Sequence, residues 1–370
     1  MIGLGLSLTG QRTMTSIAAL LFGQGEAGFA YPVWDRSTLF QDRAGTTLVT
    51  DAGQSVGVMR DTSGRANHAV AINDSARGIY GWMPKTGRKN ILDATGTLAT
   101  QSVTVTAVAH TLSFTGTGTV TLSGASTAGP LVGTGASNRV SLTFTPTAGS
   151  LTLTVTGSVT LAQLQIGAAF DTYQRVNSQY DITEAGVQTC YYVRANGVNT
   201  AYVTPTITPA TDKVQMFAGL QKLSDPAVTM ILYELSTSTA NTGTFNMQAA
   251  RAVAGKPYAV ESGGSLAFSS LAVSGAYTAP DTRVLTGTSD ISGDLTTIRV
   301  NGVQVGQSTA NQGAGNYNAY PAYLFMRGGV SNPTNGLFFG GAIRFGANLP
   351  AATIAQVESL ISRNTPTVNL

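Results

Sequence analysis

Between residues 94 and 170 the chain carries one charged side chain, Arg139, and alternates apolar with small hydroxylated residues. Val103, Val105 and Ala107 fall on one face of such a repeat, as do Leu112 and Phe114, and Val120 and Leu122. Val140, Leu142 and Phe144 follow, then Leu151, Leu153 and Val155, with Thr or Ser mostly at the positions between. A period of two puts one set of side chains on a core and the other outward, so this stretch reads as strands and excludes helix. Turns at Gly116–Gly118, Gly124–Gly135 and Thr147–Gly149 cut the pattern into short runs. The expected product is a compact antiparallel Thr/Gly-rich β-sandwich over residues 91–182. Its hydroxylated, chargeless outer face suits packing against other subunits, or resistance to proteases and salt. Neither role needs an active site.

The flanks differ. Residues 1–90 hold both tryptophans, Trp34 and Trp82, and much of the charge. Turn chemistry dominates them, at Asp51-Ala-Gly, Asp61-Thr-Ser-Gly and Met83-Pro-Lys-Thr-Gly, after a short helix over Thr15–Phe22 capped by Thr15 or Ser16. This loop-rich segment lacks a large core of its own and needs a neighbour to fold against. Residues 183–370 form a second, larger β region. Its candidate strands are Cys190–Ala195, Gln215–Gln221, Val228–Leu235, Gly243–Ala250, Ser265–Val273, Thr282–Gly287, Leu295–Val300, Ala322–Met326 and Gly341–Phe345. Asn301-Gly302 marks a type I′ hairpin, because both residues tolerate positive φ. Pro350 opens a terminal helix whose Ile354, Val357, Leu360 and Ile361 make an apolar stripe. The fold class is all-β.

Composition removes several function classes. Charged residues are 11% of 370 and the net charge is only +3, with the basic side chains scattered. Nucleic-acid binding needs a basic patch or stripe, so none is expected. A single cysteine, Cys190, and two histidines, His68 and His110, exclude an intrachain disulfide, an all-cysteine metal site and a two-histidine zinc helix. The N-terminus lacks a basic region before its apolar stretch, and Ile17–Phe22 is far too short to cross a bilayer. The five glutamates, Glu26, Glu184, Glu234, Glu261 and Glu358, are too far apart in sequence to share one strand, so a glycosidase pair is not visible. No G-x-S-x-G elbow or phosphate loop occurs. Asp290 and Asp294 flank a turn and offer too few oxygens for calcium. The expectation is a protein without catalytic residues, metal or cofactor.

Ile298-Arg-Val-Asn-Gly-Val-Gln-Val-Gly resembles the strand–Asn-Gly–strand hairpin of concanavalin A-like, laminin-G-like jelly rolls. Gly340-Gly-Ala-Ile-Arg-Phe-Gly followed by the helix at 349–361 resembles the close of the same folds, and Asp61-Thr-Ser-Gly-Arg-Ala-Asn-His68 resembles a turn near their start. That resemblance implies a larger jelly roll at 183–370 which residues 1–90 complete, with the small sandwich as an insertion. The Gly-Leu-Gly-Leu start and Trp34-Asp-Arg-Ser-Thr-Leu-Phe-Gln-Asp-Arg-Ala-Gly-Thr-Thr also resemble structural proteins of tailed bacteriophages and gene-transfer agents. The layout then implies a virion fibre or spike subunit made in the host cytoplasm, with the tail tip favoured over the head. Its N-terminal segment would hold other virion proteins, its jelly roll would contact host surface polysaccharide, and copies would assemble as a homo-oligomer, a trimer by the habit of phage fibres. A decoration protein with a purely assembly role and a polysaccharide depolymerase are the alternatives.

Sugar sites pair an aromatic face with polar groups. Residues 311–323 are rich in Asn, Gln, Gly and Tyr, and Asn316, Tyr317, Asn318 and Tyr320 are the candidate glycan contacts. Tyr320 and Tyr323 also suit a strand start, and Trp34 and Trp82 suit either platforms or a subunit contact.

Overall fold

Strand Asn335–Phe345 holds the larger sandwich together in the computed structural model, which describes residues 16–237 and 242–370. One of its edges pairs with Lys213–Lys222, and the sheet continues through Asp281–Asp290, Leu295–Val300 and Val303–Ser308. Its other edge is divided. Residues 341–345 pair with Ala27–Tyr31, whereas 335–338 pair with Thr189–Asn196. Beyond the latter lie Gly78–Pro84, Asp181–Glu184 and Gln174–Ser178, with Ser55–Val56 also on Gly78–Pro84, giving eleven strands. The opposing nine-stranded sheet runs Leu39–Phe40, Val58–Met59, Ala69–Ala71, Tyr202–Ile207, Tyr320–Leu324, Met230–Leu235, Thr244–Ala250, Ala259–Gly263 and Ser270–Val273.

Alternate residues of the two sheets form one interior. In the first sheet Phe29, Ile343, Met216, Gly287 and Ile298 lie in a cross-strand row. Tyr202, Leu324, Tyr233, Met247, Val260 and Ala272 make the matching row of the second. The side chains of these rows are buried. The sheets approach closely at Gly287, where a Cβ would lie 2.6 Å from Val260 Cγ2 and 3.0 Å from Met247 Cε. The terminal helix, Ala351–Arg363, covers the outer face of the first sheet. Its Val357 and Ile361 pack on Ala30, Phe217 and Ala342 together with Ile17 and Leu21 of a short helix, Ile17–Leu21, which Ser16 caps. Past the end of the terminal helix, Lys85 Nζ donates to the carbonyls of Ser362, Thr365 and Val368, a cation at the negative end of the helix dipole.

The second core belongs to an inserted sandwich. One sheet holds Leu131–Val132, Thr119–Gly124, Gly149–Thr156 and Gln101–Val105; the other holds Gly135–Phe144, His110–Gly116 and Val159–Ile166. The apolar faces read from the alternation meet here, with Leu112, Phe114, Val120, Leu122, Leu151 and Leu153 buried. Hydroxyls pair across strands on the outside, Ser102 with Thr152 at 2.8 Å and Thr115 with Thr160 at 3.0 Å. One outer face is not bare, however. Arg139 lies over the middle strand, donating to Ser113 Oγ and to the Leu161 carbonyl, with Phe170 and Tyr173 beside its guanidinium.

As the jelly-roll resemblance implied, the described part of residues 1–90 completes the larger sandwich, contributing six strands divided between both of its sheets. Two other expectations change. The small sandwich ends before the expected bound at 182: Gln174–Ser178, inside that range, and Asp181–Glu184, across its end, belong to the eleven-stranded sheet. Short strands such as Ala259–Gly263 and Tyr202–Ile207 went unread, because so few residues without clear alternation carry little periodic signal. The Asn301-Gly302 hairpin and the terminal helix form where expected, the former with φ values of 48° and 78°.

The Asp61–His68 turn is a latch between the sheets. Asp61 Oδ1 accepts from the backbone N–H of Ala30 and Ser63, and Oδ2 accepts from Asn67 N–H and the Ser63 hydroxyl. Asn67 donates in turn to the Gly28 carbonyl, and His68 Nδ1 accepts from Asp61 N–H. Asp61→Ala strands four donors. We expect it to lower unfolding free energy by about 3 kcal/mol, read by urea denaturation, with the m-value unchanged.

Candidate functional site: a groove at the fork of the first sheet

Ala27–Tyr31 and Thr189–Asn196 pair with successive stretches of the same edge of Asn335–Phe345, and the fork between them opens at Gly340. Backbone groups at a fork lose their ladder partners and must find others. Asn364, just past the terminal helix, supplies them: its Oδ1 accepts from Tyr191 N–H, and its Nδ2 donates to the carbonyls of Tyr191 and Phe339. Over the fork lies the Trp34 ring, close enough that a Cβ on Gly340 would fall 2.6 Å from it. Gly340 also has φ of 111°, a conformation side-chain-bearing residues rarely adopt.

The result is a groove of about 830 Å³. Trp34 and Tyr191, both partly exposed, form its aromatic surfaces, and Pro32, Ile17 and Leu360 extend the apolar wall. Thr62, Asp35, Gln188, Thr189 and Arg363 supply polar groups around them. The aromatic wall is braced from behind: Tyr191 stacks on Tyr80 at 6.1 Å and meets Trp82 edge-on at 6.2 Å, and Trp82 Nε1 donates to Asp181. Asp35 is pinned as the cap of the 3-10 turn Arg36–Thr38, where its Oδ1 accepts from Ser37. Gln188 Nε2 donates to the Arg363 carbonyl. The braced Tyr191, Trp34 and the fixed Gln188 amide and Asp35 carboxylate, with the exposed Arg363 beside them, can hold a polyhydroxylated ring by its C–H face while pairing its hydroxyls. Trp34 was a weighed platform; the groove was not foreseeable, because its walls come from residues 16 to 364.

The loop singled out in the sequence is divided by the structure. Tyr317 is 3% exposed, with its ring against Phe245 and Phe345 and its hydroxyl 2.8 Å from Ser262 Oγ. It is a core residue, not a glycan platform, and burial pushes its hydroxyl pKa up. Asn318 is exposed, donating to the Thr242 carbonyl, with its amide 3.4 Å from the Tyr320 hydroxyl. Asn316 is exposed and Tyr320 half-buried, so three of the four reach the surface. Asp290 is ion-paired to Lys213 at 3.0 Å, and Asp294 Oδ1 accepts from Gln312 N–H. Among the described residues, no cluster of three metal-ligating acidic, His or Cys side chains occurs.

Two glutamates that sequence spacing kept apart share one face of the second sheet, with Asn246 between them. Tyr323, Glu234, Asn246 and Glu261 form a cross-strand row on the face of the second sheet away from the core. Asn246 Nδ2 donates to Glu261 Oε2 at 2.9 Å, and Glu234 accepts from Arg327 Nε and Gly328 N–H, both at 3.1 Å. Both carboxyls are thereby engaged within the protein. Cys190 is buried, its thiol pushed up to about 11, so it is no nucleophile.

No protein-family model and no curated protein matches the chain. Among solved structures it is similar to NanB with optactamide, at 17% identity and a TM-score of 0.32, over 40% of this chain and 24% of that one. A botulinum neurotoxin type G receptor-binding domain gives 9% identity and a TM-score of 0.34, over 46% of this chain and 42% of that one. The Ruminococcus gnavus IT-sialidase CBM40 bound to α2,3-sialyllactose gives 13% and 0.31, over 40% of this chain and 84% of that one. The chain thus spans less than half the length of the first two. What the site does rests on its own side chains.

Burial of Glu234 outweighs the Arg327 guanidinium and pushes its carboxyl up to about 7. The folded chain then binds more protons here than the unfolded one between the ordinary value of 4.5 and about 7, so this group's stabilisation is lost as pH rises through that window. Glu234→Gln stays neutral. Thermal melts from about pH 5 to about pH 8 should therefore show wild type losing ground to the variant as pH rises.

Proposed function

We propose that this chain is a carbohydrate-binding β protein of a virion surface, which holds host polysaccharide in the Trp34–Tyr191 groove without cleaving it. The observation that carries the reading is the groove itself: two braced aromatic faces beside Asp35, Gln188 and Arg363, in a volume of about 830 Å³. That size takes a few sugar units rather than an ion. The virion setting is supported by the sequence resemblance described above, and by the chargeless hydroxylated stretch around Arg139.

An assembly role is favoured by a separate observation. Val108, Val132, Ile166 and Phe170 of the inserted sandwich and its return segment are 40–61% exposed, on a module with almost no charge to keep copies apart. These side chains suit contact with further copies or with other virion proteins, and the two roles can coexist on different modules.

With only two tryptophans in the chain, indole fluorescence isolates the groove. In a Trp82→Phe background, host surface polysaccharide should shift the emission of Trp34. Trp34→Phe and Tyr191→Ala should each weaken binding about 10-fold or more. No reducing ends should appear over prolonged incubation. Unchanged affinity in both variants would sink the groove reading.

A further inference from the structure

A second concavity of about 480 Å³ shares no lining residue with the groove. Its floor is a three-strand row on the first sheet, Ser55, Ile79 and Arg194, each paired with the next. Three turns wall it. Asn73 caps the 3-10 turn Asp74–Ala76; Gln179 and Tyr180 join two strands; and Asn196 Oδ1 accepts from the N–H groups of Val198, Asn199 and Thr200. Every wall is therefore fixed by its own hydrogen bonds before any ligand arrives.

Two guanidiniums face this pocket. Arg194 Nη1 donates to Gln179 Oε1 at 3.0 Å, its guanidinium carbon is 5.9 Å from the centre of the Tyr180 ring, and it has no ion-pair partner among the described residues. Arg77 spends Nε and Nη1 on the carbonyls of Asp74 and Gln41. The pocket's carboxylate, Asp74, stands 3.9 Å from Arg77 with its side chain 77% exposed, so it neutralises little. Some arginines elsewhere, Arg175, Arg299, Arg327 and Arg344, are matched to carboxylates within 3.1 Å, and others, such as Arg36 and Arg43, to backbone carbonyls. Arg194 is left with donor capacity aimed at nothing in the protein.

We propose that this pocket binds a carboxylate-bearing sugar unit, a hexuronate or similar acidic residue of a polysaccharide. Arg194 takes the carboxylate, with the remaining donors of Arg77 completing the clamp. The ring hydroxyls meet Ser55, Ser75, Asn196 and Thr200, and Ile79 with the Tyr180 ring gives the C–H face an apolar seat. An inorganic anion would use the two arginines alone and leave the hydroxylated walls and apolar floor without purpose. The proposal stands apart from the groove reading, since neither site depends on the other's residues.

Saturation-transfer NMR of the full chain with glucuronate and with glucose tests it, with sodium sulfate, which has no protons to observe, titrated in as a competitor of bound glucuronate. Glucuronate should bind at least about 10-fold more tightly than glucose, which carries a hydroxymethyl group in place of the carboxylate. Arg194→Gln should abolish that preference, Arg194→Lys should retain part of it, and Trp34→Phe should leave it untouched. Melting temperatures equal to wild type show that each variant is folded; if Arg194→Gln is not, the Arg194→Lys affinities decide in its place. Equal binding of glucose, an unaffected Arg194 variant, or no binding of glucuronate overturns the proposal. Sulfate bound as tightly as glucuronate overturns it too, leaving a site for an ion only.

Discussion

The Gly340-Gly341 pair is the point on which the larger sandwich depends. At Gly341 a Cβ would lie 2.2 Å from both the Phe217 carbonyl and the Tyr233 hydroxyl. The missing side chain lets Tyr233 cross from the second sheet and donate to Phe217 O, a hydrogen bond that pins one sheet to the other. At Gly340 the positive φ and the empty Cβ position let the strand change partners and the Trp34 ring settle over the gap. Closure of the core and opening of the groove thus follow from two adjacent residues. A side chain at either would force the sheets apart or expel the tryptophan, and overpacking of that kind is not relieved by small shifts when backbone atoms are the obstacle.

The inserted sandwich is joined to this frame by a polar seam. Asn90 Nδ2 donates to the Ala162 and Gln174 carbonyls while its Oδ1 accepts from Leu92 and Leu164 N–H, which uses the full capacity of the amide. Gln163 Oε1 accepts from Gln174 N–H, and Gln174 Nε2 donates to Gly87 O and Glu184. Lys89 closes the network on Glu184, whose carboxyl is held below the usual range by Thr86, Gln174 and Lys89 against the opposing pull of burial. A fully satisfied network of buried amides is directional where apolar contact is not, so it sets how the small module leaves the large one.

Charge is scarce in this protein and is spent on positioning. Arg344 reaches Leu21 O, Gln215 and Glu26 and so holds the first helix against the central strand. Arg299 grips Glu358 of the terminal helix, and Lys222, fully buried, is met by Asp225 and by the carbonyls of Lys256 and Tyr277. In the two concavities, Arg194 has no ion-pair partner among the described residues and Arg363 is exposed.

Sequence alone determined the elements whose signal is local. Alternation over 94–170 fixed the strands of the inserted sandwich, Asn301-Gly302 fixed its hairpin turn, and the stripe of Val357 and Ile361 fixed the terminal helix, because pleat, turn and helix periods act over a few residues. Tertiary structure decided the rest. Tyr317 sits in a loop whose composition suits recognition, yet Phe245 and Phe345 from distant strands close over it. Trp34, Tyr191 and Asn364 become one site only because a single strand offers one edge to two partners. Ser55, Ile79 and Arg194 become one pocket only through register across three strands. A side chain's neighbours across a sheet are set by register and closure, which depend on the whole chain, and no spacing between these residues encodes them.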